Sequence, residues 1–289
     1  MNLYRSVKKQ EGGGTGGTDV YIDGVKSSAS RVDIDSISET PYFLFAGAIV
    51  VYNNEVHILG GSYSKSSHYK WNGTVWSEVS TLPYDFVNGS SVVFNNEIHI
   101  MGGNNNQTKH FKWNGTAWSE VSTLPYNFSS GSAVVFNNEI HILGGLGVYY
   151  NHYKWNGTAW SEVSTLPYNI SSCPPVVFNN EIHILGGGTG HTTSHYKWNG
   201  TVWSEVSTLP CELSSGSSVV FNNEIHIFNY SCNHYKWNGT AWSEQISSLI
   251  SHSKAGIVYN NKILLVANIN NSKLIETIGV DIKQVEVTS

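Results

Sequence analysis

Only 13% of the 289 residues are charged, and the net charge is −5. That balance supplies no basic stripe for nucleic acid or an anionic membrane surface. No run of 18 apolar residues offers a spanning helix, so no membrane insertion is expected. Three cysteines are too few for a disulfide framework and point to synthesis in a reducing cytoplasm.

Residues 1–18 end in Glu11-Gly12-Gly13-Gly14-Thr15-Gly16-Gly17-Thr18, too glycine-dense for regular structure. They read as a flexible N-terminal segment with a possible docking peptide at its start. The opening basic stretch lacks an apolar region behind it, so it does not read as a signal peptide. Within 19–38, Asp19–Lys26 suggests a short strand and a turn. Arg31-Val32-Asp33-Ile34-Asp35-Ser36-Ile37 then alternates like a half-buried strand. Aligned on Pro41, Ile34 and Ile37 match Trp76 and Val79 of the units that follow. Residues 31–38 are therefore expected to be a stray copy of a unit's last strand.

From Gly47 a unit of about forty residues repeats. Its most regular part is Tyr69-Lys70-Trp71-Asn72-Gly73-Thr74-Val75-Trp76, and all ten tryptophans fall in five such copies, spaced 42, 42, 43 and 39 residues apart. Asn-Gly between apolar segments signals a hairpin with a two-residue turn. That turn would set Trp71 opposite Thr74 and Tyr69 opposite Trp76. Each unit reads as four strands, A to D. Asn-Asn turns A into B, Gly-Gly ends B at Gly60-Gly61, Gly102-Gly103, Gly144-Gly145 and Gly186-Gly187, and the tryptophan hairpin forms C and D. Units are expected near 47–83, 89–125, 131–167, 174–210, 216–249 and 255–289, the last without the tryptophan hairpin.

This pattern resembles the Kelch family of β-propellers, over residues 31–289. The resemblance implies an all-β fold, a single six-bladed propeller of four-stranded antiparallel blades spanning 19–289. Residues 31–38 would close the ring by pairing with the last blade. Seven blades, with 19–38 as a separate partial blade, is the alternative. The fifth unit departs from the pattern at Phe228-Asn229-Tyr230, and the sixth at Ala267-Asn268.

An antiparallel meander puts the A–B and C–D turns at one end and the B–C and D–A loops at the other. The first set is nearly invariant from unit to unit, and the second varies. Variable loops on a rigid frame are the expected binding face. Its candidate ligand-binding residues are Tyr63, Lys65, Asn105, Lys109, Tyr149, Tyr150, His191 and Tyr230 in B–C loops. Tyr84, Asn127, Asn169 and Glu212 join them from D–A loops. Aromatic and uncharged hydrogen-bonding groups suit sugars or peptide backbone.

Histidines recur at 57, 99, 141, 183 and 226, and again at 68, 110, 152, 195 and 234. A residue repeated around a ring cannot converge on one catalytic centre, so these are expected to make structural hydrogen bonds between blades. Cys173, Cys211 and Cys232 map near His191 and could form a zinc site, but scattered thiols are the simpler reading, and no metal or other cofactor is expected. The five Asn-Gly-Thr triplets read as turns rather than as glycan acceptors.

Met1 to Ser6, the Gly-Thr-rich stretch and Val20–Val25 are similar to the openings of bacteriophage tail and fibre proteins. That similarity implies a non-catalytic virion-surface protein, made in a bacterial cytoplasm. It would dock on other virion proteins through its N-terminal segment and contact a host-surface glycan or protein through the variable loops. A Kelch-type enzyme such as a sugar mutarotase, and a cytoplasmic interaction scaffold, are the alternatives.

Overall fold

Asparagine pairs make the first turn of every unit. Asn53-Asn54, Asn95-Asn96, Asn137-Asn138, Asn179-Asn180, Asn222-Asn223 and Asn260-Asn261 all hold φ between 48° and 60°. Two consecutive positive φ values give the turn whose twist matches that of the flanking strands. The computed structural model describes residues 7–9, 20–22, 25–27, 36–42, 44–147, 150–172, 174–188, 190–214, 216–228, 234–245, 253–268 and 272–277. Contacts divide the chain into two compact units, Met1–Asp35 and Ser36–Ser289.

The first unit holds a three-stranded antiparallel sheet of Val7–Lys9, Val20–Ile22 and Val25–Ser27 in chain order. Two readings change. The expected flexible segment 1–18 contributes a strand. Strand 20–22 pairs with that strand and with 25–27, rather than making a seventh blade with residues up to 38.

The second unit is an all-β propeller of four-stranded antiparallel blades. Five blades are each built from four consecutive strands, the first being Ala48–Tyr52, Glu55–Leu59, Ser67–Trp71 and Trp76–Thr81. The expectation of six blades, with seven as the alternative, is corrected to five. A further four-stranded sheet combines Ser253–Tyr259, Lys262–Asn268 and Ser272–Thr277 with Ser36–Glu39. Glu39 pairs with Lys273 and Ser38 with Leu274. Of the expected closing strand 31–38, residues 36–38 lie in this sheet, and 31–35 fall outside the described residues. The A strands touch in cyclic order, and Ser253–Tyr259 meets both the fifth blade's A strand and Ala48–Tyr52.

Apolar side chains fill the spaces between blades. Val50, Tyr52 and Leu59 of the first blade pack with Ile98, Ile100 and Trp113 of the second, and the same set recurs from blade to blade. Strand B is buried on both faces, so Ile98, His99, Ile100 and Met101 are all nearly inaccessible.

The tryptophan hairpin has a different register from the expected one. Trp71 pairs with Trp76 and Tyr69 with Glu78, which leaves a four-residue loop of Asn72 to Val75. Asn72 is the cause. Its Oδ1 accepts hydrogen bonds from Thr74 N, Val75 N and Thr74 Oγ1 at 2.9–3.0 Å. A side chain that captures the backbone two and three residues ahead favours the wider turn. Only Gly73, at φ 104°, takes the left-handed side. All five copies share this pattern of bonds. The inner tryptophan of each copy is buried. The outer one reaches the preceding blade, as Trp118 Nε1 donating to Ser80 Oγ at 3.2 Å.

Histidines pair within blades. His57 Nδ1 lies 2.8 Å from His68 Nε2 on the adjacent strand, and each of the other four blades repeats the pair. The expected bond between blades is therefore a bond between strands B and C of one blade. Glu97, two residues from His99 on the same strand, binds Lys112 at 2.9 Å.

Candidate functional site

The B–C and D–A loops form one continuous hydrogen-bonded face. Ala46, Asn88, Ser130 and Ser172 occupy equivalent D–A positions at φ 53–59°. That conformation aims each amide at the preceding loop. Asn88 N donates to Ala46 O, Ser130 N to Asn88 O and Ser172 N to Ser130 O, each at 2.8 Å. The B–C loop of the second blade is tied on both sides, with Asn104 N on Val87 O and Gly103 N on Phe128 O, both at 2.9 Å. The Gly-Gly pair makes these approaches possible: a Cβ on Gly102 would overlap the Phe128 carbonyl oxygen.

On this face lie four of the six large apolar side chains that are exposed among the described residues: Phe45, Tyr63, Leu146 and Tyr150. Tyr63 is 71% exposed and Tyr150 52%. Phe45 and Tyr63 sit on linked loops, because Ser62 N donates to Phe45 O. A cavity of about 320 Å³ lies in the second blade's B–C loop, lined by Asn104, Asn105, Asn106, Gln107, Thr108 and Lys109 with Asn127 across from them. It brings together three of the sequence-predicted residues, Asn105, Lys109 and Asn127. Asn104 is held in place by Asn88 Nδ2 and Ser129 Oγ, both donating to its Oδ1. Lys109 is committed to Glu120 at 3.0 Å, so the cavity offers amides and hydroxyls more than free charge.

Other predicted residues are more dispersed. Lys65 lies 3.9 Å from Asp85, with both side chains half exposed. Glu212 is exposed, and Asn169 is half-buried beside Gly188. His191 stacks on Tyr168 at 4.6 Å between ring centroids, with its Nδ1 3.2 Å from Ser194 Oγ. Tyr84 is not available as a ligand contact. Its hydroxyl is buried, burial pushes its pKa upward, and the ring packs on Phe86 and Phe111. Tyr149, Tyr230, Cys173 and Cys232 lie outside the described residues. Cys211 is half-buried against the core of the fifth blade, and no group of three metal-ligating side chains occurs among the described residues.

Sequence reasoning missed a second cavity on the propeller axis. An open depression of about 260 Å³ is lined by the openings of the A strands, including Ala48, Ser90, Ala133, Pro175, Ser218 and Gly256. The signal was present, since small residues or proline lie at or near the opening of each A strand, as at Ala48, Ser90, Ser132, Pro175, Ser217 and Gly256. Ser90 Oγ accepts from Ala133 N, and Ser218 Oγ donates to Pro174 O, so hydroxyls stitch neighbouring A strands together at this mouth.

A search of family models finds no match, and no curated protein matches the sequence. Among solved structures, the one titled "Structure of YjhT" superposes with a TM-score of 0.70 at 13% identity, covering 84% of this chain and 95% of that chain. Likeness at that identity is a likeness of fold. It makes this chain a β-propeller.

Proposed function

We propose that this protein is a non-catalytic binding propeller that contacts a host-surface glycan or protein through its B–C and D–A loop face. In this reading it is a Kelch-like ring. It is carried on a bacteriophage virion and docks on other virion proteins through the N-terminal unit.

One observation carries the proposal. Exposed aromatic rings and an amide-lined cavity share a face whose backbone is cross-tied, while the opposite face repeats one Asn-Gly-Thr turn. Rigid loops lose little entropy on binding. Aromatic faces and neutral amides suit the apolar faces and hydroxyl edges of sugar rings. The repeated histidines support a non-catalytic reading, because each is paired inside its blade rather than aimed into a cavity.

An array of purified bacterial envelope polysaccharides tests it. Wild type should bind a subset, and Tyr63→Ala, Asn105→Ala and Asn127→Ala should each weaken that binding. Unchanged binding in all three variants would remove the loop face from the proposal.

A further inference from the structure

Ten of the twelve histidines are spent on the five His–His pairs. In each pair one ring donates to the other, so an added proton must sit on an outer nitrogen, Nε2 of the strand-B ring or Nδ1 of the strand-C ring. The strand-C rings His68, His110, His152 and His195 have no accessible surface. Each stands at a seam. His68 meets Trp113 and Trp118 of the next blade edge-on, with centroids 5.3 and 5.6 Å away. His110, His152 and His195 repeat the contact with the tryptophans of their own following blades. The strand-D serine completes the circuit: Ser164 Oγ lies 3.2 Å from His152 Nδ1 and accepts from Trp203 Nε1 at 3.3 Å.

Burial outweighs the one charge that favours a second proton on a pair, the neighbouring glutamate. In the first blade, Glu55 and Lys70 are tied to each other at 2.9 Å, and Tyr52 presents its ring to His57. Ser80 brings a hydroxyl, and the next blade brings two indoles. Backbone groups of Phe178 and Phe221 face His183 and His226, whereas His57 Nε2 is buried without a partner, as are the Nε2 atoms of His99 and His141. A proton added there would be an unsatisfied, charged donor in an apolar seam. Burial holds His57 down to about 4 and His68 to about 3, with Lys70 and the pairing itself also lowering His68. The fifth blade differs, because His234 stacks on Phe228 at 4.4 Å.

We infer that these circuits make the propeller an acid-opened ring, in which proton uptake by the seam pairs drives consecutive blades apart in mildly acidic medium. The direction follows from the lowered values. Above the unfolded value near 6.5 the rings are neutral in both states, and stability is fully present. As pH falls below it, the unfolded chain takes up protons that the folded chain refuses, until the folded values are reached. One pH unit below 6.5, each such histidine shifts the equilibrium roughly tenfold toward the open chain. Ten of them together exceed what a domain of ordinary stability withstands, which places the transition between about pH 6.5 and 5.

An acid titration of the full chain tests this, followed by tryptophan fluorescence and far-UV circular dichroism, with proton uptake measured by calorimetry in two buffers of different ionisation enthalpy. Wild type should lose its fold cooperatively in that window. The double variant H141Q/H152Q removes one circuit while keeping polar side chains, and it should take up two fewer protons. Should it fail to fold, ring-proton NMR of the wild type gives the same answer. Ten histidine signals should stay unshifted until the fold is lost. Signals that titrate individually near the ordinary value, or a fold that persists below pH 4, would overturn the inference.

Discussion

Gly102 and Gly157 both hold positive φ, at 65° and 99°, but their surroundings differ. A Cβ at Gly102 would strike the Phe128 carbonyl, whereas nothing lies within 4 Å of one at Gly157. Gly157→Ala should therefore cost only backbone strain, about 1–2 kcal/mol. Gly102→Ala adds displacement of the loop that carries fully buried Phe128, about 1–3 kcal/mol. It also weakens the Gly103 N to Phe128 O hydrogen bond, a further ~1 kcal/mol. The expected total for Gly102→Ala is about 3–6 kcal/mol, at least ~2 kcal/mol beyond Gly157→Ala. Urea unfolding at pH 7.5 reads both as midpoint shifts at constant slope. Because Asn127 rides on the displaced loop, Gly102→Ala should also weaken polysaccharide binding, and Gly157→Ala should not. Equal costs for the two would refute the claim that the Gly-Gly pair exists to seat the D–A loop.

Three further outcomes follow from particular contacts. Asn114→Ala removes the acceptor of three hydrogen bonds and should cost about 1–2 kcal/mol, whereas Asn114→Asp keeps an acceptor and should cost less than half of that, both by urea unfolding. Trp118→Phe loses the indole bond to Ser80 and should cost more in wild type than in a Ser80→Ala background, by about 0.5–1.5 kcal/mol in a double-mutant cycle. Deleting residues 1–39 strips Ser36–Glu39 from Ser272–Thr277 and bares a sheet edge. Sedimentation should then show self-association that the full chain lacks.

The repeat made the blade legible from sequence, because period and turn chemistry are local properties. Asn-Asn turns and the Gly-Gly approach behave as the residues suggest. The tryptophan hairpin did not follow its Asn-Gly signal, because the Asn72 side chain competes with the two-residue turn and widens it. Side-chain capture of backbone leaves no mark in an apolar–polar pattern. The histidine pairs were half legible. Two series, at 57 and 68 and their equivalents, announced repetition, but only the strand register shows that they meet. Tyr84 looked like a free loop aromatic but is half-buried, its ring packed on Phe86 and on Phe111 in strand C of the next blade. The axial cavity belongs to no single unit, and it emerges only when the A strands converge.

Two triple variants test the recognition face most directly. Y63A/N105A/Y150A changes the variable face, and V75A/T116A/V202A changes the turns of the opposite face, all at exposed positions. Both proteins should keep wild-type unfolding midpoints. On a bacterial envelope polysaccharide that wild type binds, the first should lose at least tenfold in affinity, while the second should match wild type. Retained affinity in the first, or a loss in the second, would contradict the assignment of recognition to the B–C and D–A loops.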